Sequence, residues 1–387
     1  MKQPILPIGS AQNSRRKGPT CIIASIGILL LVGFTFYNPK HRPHFEDFSV
    51  YYEAAIKAGN HHTLYDVEGF FQFKYAPIVG TLFSMVLPLF PFQTAAHVNY
   101  LLSLLLWVAI LFLIRPVKLK WLPILLCVFA YIVPLRDELK LGQINAVSIL
   151  LLIVSYRLSH RGRISEIGAG QLLALAVCFK LYSLFIVPIL VFQKKWVLLI
   201  SCVFGFLFLN IGMVALIHGF SFALLENRLW LESLTGSTTD LIAWVDNISL
   251  LGVLSRWLAS SFLIQVIWLL TLILCLFIQY RWVLVGKDRQ GVALALASIT
   301  VLNPLVWPNW ILFTMPIFFI LLEEIETLPN RNLLYANLLL FSLVSWFGNV
   351  PWVKPTLLPL AIYLLIGTFL STQDSGPCDT APFRIIK

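Results

Sequence analysis

The side chains able to do chemistry in this chain sit in a few short polar stretches between long apolar runs. The densest is His44-Phe45-Glu46-Asp47-Phe48-Ser49-Val50-Tyr51-Tyr52-Glu53-Ala54-Ala55, a few residues beyond the first apolar run. A carboxylate held at a membrane surface has its pKa raised by partial burial and lowered by nearby cations. Asp47 can therefore act as a general base near neutral pH. The alternative is an N-cap, because Asp47 precedes a helix-like stretch with Tyr51 and Ala54/Ala55 on one face.

Four further stretches carry candidate groups. Lys74, in Phe73-Lys74-Tyr75-Ala76-Pro77, either reaches a lipid phosphate or snorkels to the interface. Gln143 and Asn145, in Leu141-Gly142-Gln143-Ile144-Asn145, are uncharged hydrogen-bonding groups suited to sugar hydroxyls; helix capping explains Asn145 equally well. Lys180 falls between two apolar runs, where an unpaired ammonium costs roughly 2.5–3.5 kcal/mol. It calls for an anion, either a lipid phosphate or a structural ion-pair partner. Asp246-Asn247-Ile248-Ser249-Leu250 is followed two turns later by Arg256, a forked donor that fits phosphate oxygens. Asn247-Ile248-Ser249 also matches an N-glycosylation acceptor. Asn303-Pro304-Leu305-Val306-Trp307-Pro308-Asn309-Trp310 breaks two helices, and its Asn309 amide either lines a sugar site or stands among interface anchors.

The elements that position these groups are membrane helices. Of 387 residues, 59% are hydrophobic and only 12% charged, about half the charge of an ordinary soluble domain. A soluble enzyme, a disordered scaffold and a secreted disulfide module are excluded, and the length allows about a dozen membrane passes. The 28 Lys+Arg against 18 Asp+Glu give a net charge of +10, read here as loop charge that sets topology and not as a nucleic-acid footprint. The six cysteines show no metal-ligand spacing and are read as packing residues. There is no phosphate-cradling glycine loop, His/Cys cluster or Gly-x-Ser-x-Gly elbow, so no metal and no cofactor is expected.

Apolar runs predict helices near 21–37, 95–114, 121–134, 146–156, 167–180, 181–193, 196–217, 262–280, 291–302, 310–322, 332–346 and 355–371. The first is an uncleaved helix whose basic end, Arg15-Arg16-Lys17, faces the cytoplasm. With 76–90 lying at the outer interface, four basic clusters, Arg115/Lys118/Lys120, Arg157/Arg161/Arg163, Lys194/Lys195 and Arg281/Lys287/Arg289, face inward; if 76–90 spans, all four move outside. The first topology gives a cytoplasmic segment 1–20, one integral domain 21–371 and a cytoplasmic tail 372–387. Its external connections are 38–94, 135–145, 218–261, 303–309 and 347–354.

In order, Asp47-Phe48-Ser49-Val50-Tyr51-Tyr52 with Ala54-Ala55, Leu64-Tyr65, Tyr75-Ala76-Pro77, Gly142-Gln143-Ile144-Asn145, Lys180-Leu181-Tyr182, Asn247 with Ser249-Leu250, and Pro304 to Pro316 form a set. This set resembles glycosyltransferase family 87, membrane mannosyl- and arabinosyltransferases of the GT-C superfamily. The resemblance implies an all-α polytopic membrane protein, a GT-C-like bundle of about 11–13 transmembrane helices, with interfacial helices in a long first external loop. It implies an inverting glycosyltransferase that moves a sugar, mannose being the expected one, from a polyprenyl-phosphate donor to a glycolipid or glycan acceptor. Asp47 falls on the family's base, Lys180, Arg256 and Lys74 would hold the donor phosphate, and Glu46, Tyr51, Gln143, Asn145, Asn247 and Asn309 would bind sugar or acceptor. Related sequences often carry a His where this chain has Asn309, and the Asn-Gln-Ser-Leu pattern reads Asn247-Ile248-Ser249-Leu250 here. The implied location is a bacterial inner membrane, with both termini cytoplasmic and the site on the external face. The rival readings are a transporter or flippase, whose sites sit nearer the bilayer midplane, and a non-catalytic subunit that grips a lipid-linked sugar.

Overall fold

The computed structural model describes residues 45–65, 72–114, 121–324, 331–347 and 356–373, and no strand occurs among them. The expected helix 21–37, the cluster Arg115/Lys118/Lys120 and both chain ends lie outside the described residues. The stretch before the first long helix folds as α1 (Glu46–Gly59), α2 (Pro77–Ser84) and a 3-10 turn at Leu87–Leu89. Then come α3 (Phe92–Ile114), α4 (Trp121–Leu141), α5 (Asn145–Leu158) and α6 (Arg163–Phe179). A 3-10 segment, Leu181–Ile186, leads into α7 (Val187–Phe192). Next is α8 (Trp196–Leu207), which runs through a π-helical turn into α9 (Val214–His218). The second half comprises α10 (Phe220–Leu241), α11 (Leu250–Trp257), α12 (Ser261–Leu284) and α13 (Asp288–Leu302). A 3-10 segment at Pro308–Thr314 precedes α14 (Met315–Glu324), α15 (Arg331–Trp346) and α16 (Leu358–Gln373).

Three stretches, Phe92–Ile114, Trp196–His218 and Ser261–Leu284, are long and apolar enough to cross a membrane. At 1.5 Å per residue each rises about 35 Å, against a hydrocarbon core of about 30 Å. Helix α12 is apolar all round and leaves Phe262, Leu270, Ile273 and Leu274 exposed, a surface stable against lipid rather than water. This is an integral membrane protein. By contrast α2, at eight residues, rises only about 12 Å and is too short to span.

Helix α13 occupies the interior: every residue from Gly291 to Leu302 is buried, with small Ala293, Ala295 and Ala297 allowing close neighbours. Helices α6 and α8 approach until a Cβ on Gly170 would stand 2.6 Å from Ser201 Cβ. Ser201 Oγ donates to Ile167 O at 2.9 Å and so ties the two together.

Three elements differ from the apolar pattern. Helix α4 continues past its apolar run, through Pro134, Arg136, Asp137, Glu138 and Lys140, to Leu141. Residues 181–186 and 310–314 lie in 3-10 segments, Leu181–Ile186 and Pro308–Thr314, where continuous helix was expected, each segment containing or preceding a helix-breaking proline. The supposed connection 218–261 contains two helices, α10 and α11. Its amphipathic first part buries Ala223, Glu226, Trp230 and Ser233, a spacing of three or four residues that its charged face concealed.

Candidate active site

The site is assembled around the bend between α4 and α5, where the chain turns by 115° at a short break. Gly142 makes that turn with φ +73, a left-handed conformation that favours glycine. Gln143 N–H donates to Glu138 O at 3.1 Å, and Asn99 Nδ2 donates to Gly142 O at 3.0 Å. The start of α1 is pinned to the same place, Phe45 N–H donating to Lys140 O at 3.0 Å. Phe45 is itself left-handed, at φ 48. It delivers the chain into a helix whose first turn carries Glu46 and Asp47.

Asp47 does not cap α1; the helix begins one residue earlier and its N-cap is Phe45. Asp47 Oδ2 instead accepts from Gln143 Nε2 at 2.7 Å. Gln143 Oε1 accepts from Asn145 Nδ2 at 2.5 Å, and the same Nδ2 donates to Glu138 Oε2 at 2.8 Å. Asn309 Nδ2 donates to that oxygen at 2.7 Å, while Tyr182 hydroxyl donates to Asn145 Oδ1 at 2.9 Å. Asn145 is not a side-chain cap either. Its backbone N–H, at the start of α5, donates to Glu138 Oε1 at 3.2 Å, which places a carboxylate at a helix N-terminus. One chain of hydrogen bonds thus runs from Asp47 through Gln143, Asn145 and Glu138 to Asn309.

Lys180 stands beside this chain, in the break between α6 and the following 3-10 segment. Its ammonium lies 4.6 Å from the centre of the Tyr75 ring and 5.5 Å from that of Trp310, within cation–π range of both. It is close enough to act on the charges of both Asp47 and Glu138, but among the described residues it makes no hydrogen bond or close ion pair. The Tyr51 and Tyr75 hydroxyls share a 2.5 Å hydrogen bond and close the aromatic side. Burial pushes the Asp47 carboxyl above the ordinary carboxylate range, against the Gln143 hydrogen bond and the Lys180 charge; the Glu46 charge adds to the rise.

The structure therefore brings Asp47, Tyr51, Gln143, Asn145, Lys180 and Asn309 together. Lys74 lies close enough for its charge to bear on Lys180, and burial lowers its own pKa. Its carbonyl accepts from Trp230 Nε1 at 3.1 Å, so α10 braces this stretch. Glu46 is exposed on the outer side of α1. Asn247 and Arg256 take no part in the chain. Asn247 is fully buried, its Nδ2 donating to Ile242 O at 2.9 Å and Pro304 O at 2.8 Å. Its Oδ1 accepts from Ser249 N–H at 3.1 Å and Val306 N–H at 3.0 Å. A side chain so enclosed is no glycan acceptor, which needs exposure. Arg256 NH1 donates to Trp244 O at 2.8 Å and Asn247 O at 2.9 Å.

Glu138 is the residue that sequence reading missed, because Arg136, Asp137 and Lys140 around it suggest a solvated helix end. Its helical spacing carried the signal: Tyr131, Pro134 and Leu135 precede it by seven, four and three residues on one stripe. A carboxylate on such a stripe is buried and must be paired.

Residues 73–308 match the family model of glycosyltransferase family 87, more than half of the chain. The match contains Lys74, Glu138, Gln143, Asn145 and Lys180. Asp47 and Asn309 fall outside it and join its residues through the bonds to Gln143 and Glu138. Neither a curated protein nor a solved structure matches the chain.

Proposed function

The chain belongs to glycosyltransferase family 87, and on that footing we propose that this membrane glycosyltransferase moves a sugar, with inversion, from a polyprenyl-phosphate donor to a glycolipid or glycan hydroxyl at the outer face of the membrane. Mannose is the proposed sugar. The observation that carries the reading is that the Lys180 ammonium stands near enough for its charge to act on Asp47. Asp47 has one oxygen engaged by Gln143 and no hydrogen bond on Oδ1 among the described residues. Beside it stands an ammonium that makes no close ion pair among them. The arrangement offers a base and an anion anchor in one site.

In the proposed reaction the acceptor hydroxyl oxygen attacks the anomeric carbon from the face opposite the phosphate. Its proton passes to Asp47 Oδ1, and the bond from the anomeric carbon to the phosphate oxygen breaks, its electron pair leaving on that oxygen. Lys180, with Lys74 behind it, stabilises the charge that grows on the leaving polyprenyl phosphate. The guanidinium of Arg256 is engaged by carbonyls of its own loop, so we give it the fastening of α11 and place the phosphate on the two lysines. Asn309, held through Nδ2 by Glu138, makes no hydrogen bond through Oδ1 among the described residues and would accept from a sugar hydroxyl.

With the basic loops at Arg157/Arg161/Arg163, Lys194/Lys195 and Arg281/Lys287/Arg289 inside, the site would face outward, which in a bacterial inner membrane is the side where lipid-linked sugars are consumed. The test uses the purified full chain in lipid nanodiscs with polyprenyl-phosphate mannose, a panel of glycolipid acceptors, and Asp47→Asn alongside. Transfer by the wild type that is lost in the variant, with donor binding kept, supports the reading. Equal transfer by both proteins removes Asp47 as the base. Transfer from a nucleotide sugar but not from the lipid-linked one removes the proposed donor, and movement of intact lipid-linked sugar across vesicles without transfer favours the flippase.

A further inference from the structure

The mechanism above gives Glu138 no contact with donor or acceptor, yet its carboxylate is fully buried and held by three donors. Oε2 accepts from Asn145 Nδ2 at 2.8 Å and Asn309 Nδ2 at 2.7 Å, and Oε1 from the backbone N–H of Asn145 at 3.2 Å. A carboxylate accepts at every position and cannot be turned round, whereas an amide can present either its oxygen or its nitrogen. That one-sided demand fixes the amides beyond it. Both hydrogens of the Asn145 amide are used, one on Glu138 and one on Gln143 Oε1, and its oxygen receives the Tyr182 hydroxyl. Gln143, with its oxygen turned to Asn145, has its amino group on Asp47.

We infer that Glu138 is a positioning residue that sets the direction of a two-amide relay, Asn145 then Gln143, and thereby keeps a hydrogen-bond donor on Asp47 Oδ2. The inference rests on the transferase reading for what Asp47 does with its proton, but not for the direction of the relay. An amide in place of Glu138 breaks a link in either orientation. With its oxygen toward the two asparagines, its amino group meets the backbone N–H of Asn145. With its nitrogen toward them, Asn145 must turn, Gln143 follows, and a carbonyl oxygen faces Asp47, which then has to be protonated. Other groups also act on these two carboxyls: Glu46 and Tyr51 from α1, Tyr75 with Lys74 behind it, Lys180, and Tyr182 beside Glu138. None of them changes in the variants below; the one charge that does is that of Glu138 itself, whose repulsion of Asp47 is lost in Glu138→Gln and kept in Glu138→Asp.

The test is an infrared pH titration of Asp47 in nanodiscs, its carboxyl band assigned by its loss in Asp47→Asn. Glu138→Gln is expected to move the Asp47 midpoint upward, by less than the roughly one pH unit of a hydrogen bond to a charged group, because the lost Glu138 charge acts the other way. Glu138→Asp, which keeps the charge but withdraws it by one methylene, is expected to move it less and in the same direction. Gln143→Met should give the full rise, and its double variant with Glu138→Asp should go no further, because both act through one bond. An Asp47 midpoint unmoved in both Glu138 variants, or additive shifts in the double variant, overturns the relay. If Glu138→Gln does not fold, Glu138→Asp and Gln143→Met still carry the test. Expected shifts without sugar transfer by the wild type would defeat the transferase reading alone; transfer with unmoved midpoints would defeat the relay alone.

Discussion

Gln143 Nε2 donates to Asp47 Oδ2 across 2.7 Å, joining the turn after α4 to the first turn of α1, 96 residues earlier in the chain. Neither residue could hold this geometry alone. Asp47 is placed by the bond from Phe45 to Lys140, and Gln143 by its own N–H on Glu138 O and by Asn145. The carboxylate is therefore held by the fold itself, the preorganisation that the proposed role of a fixed base would require.

The pH dependence of transfer follows from the same site. In the proposed reaction the reacting form of Asp47 is the carboxylate, and its pKa is raised by burial, above an ordinary value of about 4. As pH falls through that raised pKa the base is protonated, and log kcat/KM should fall with unit slope on the acidic limb. The midpoint should lie above the ordinary carboxylate range. A profile flat down to the ordinary range would remove Asp47 as the titrating base.

Lys180 should show its role as a split between donor and acceptor. Lys180→Met removes the ammonium that faces Tyr75 and Trp310. Loss of a charge-assisted contact of about 1.5–3 kcal/mol raises the KM for the polyprenyl-phosphate donor by about 10- to 100-fold. The KM for the acceptor should stay within twofold. Lys180→Arg keeps the charge and should recover part of the donor affinity. Equal effects on both substrates would point to a structural lysine.

Much of this arrangement can be read along the chain, and the part that cannot has a common cause. The apolar stretch Phe262–Cys275 announces α12 from composition alone, because a lipid-facing helix is recognised by its apolar length. Asp47, Gln143, Asn145, Lys180 and Asn309 stand out because polar groups are scarce in such a chain. Glu138 stays hidden inside a run of mixed charge, and its meaning lies in partners seven and 171 residues away. Helix α10 is hidden likewise, since Glu226, Asn227, Arg228 and Glu232 dilute its apolar stripe. Asn247-Ile248-Ser249 reads as a surface motif until Pro304 and Val306, more than fifty residues on, are found to close over it.

That closure makes Asn247 a residue of stability. Asn247→Ala would strand the N–H groups of Ser249 and Val306 and one bond to Pro304 O, all at the start of α11. Leaving buried groups unpaired costs about 1–3 kcal/mol each. The variant should lose thermal stability by at least about 3 kcal/mol, read as a lower Tm in detergent, while protein that survives keeps its donor KM. An unchanged Tm with a raised KM would return Asn247 to the sugar site.

Gly142 is where geometry and stability meet, and Gly142→Ala tests the turn itself. At φ +73 any side chain is strained, and a Cβ would stand 2.7 Å from Phe48 Cβ. Phe48 is fully buried against Tyr51 and Phe92, so the contact is relieved by moving α1 away from the α4–α5 bend. That motion stretches the bond between Gln143 and Asp47. The left-handed backbone costs about 1 kcal/mol for Ala, and overpacking adds about 1–3 kcal/mol. Gly142→Ala should therefore lower Tm and reduce kcat more than it changes the donor KM, as Lys180 is carried by the break after α6 and not by this turn. Gly142→Asn separates the two causes. Asn tolerates the left-handed conformation but brings the same Cβ, so if the approach to Phe48 is what positions Asp47, Asn rescues little of the activity. Recovery of kcat in Gly142→Asn would show that backbone strain alone was at fault and that α1 does not lean on this glycine.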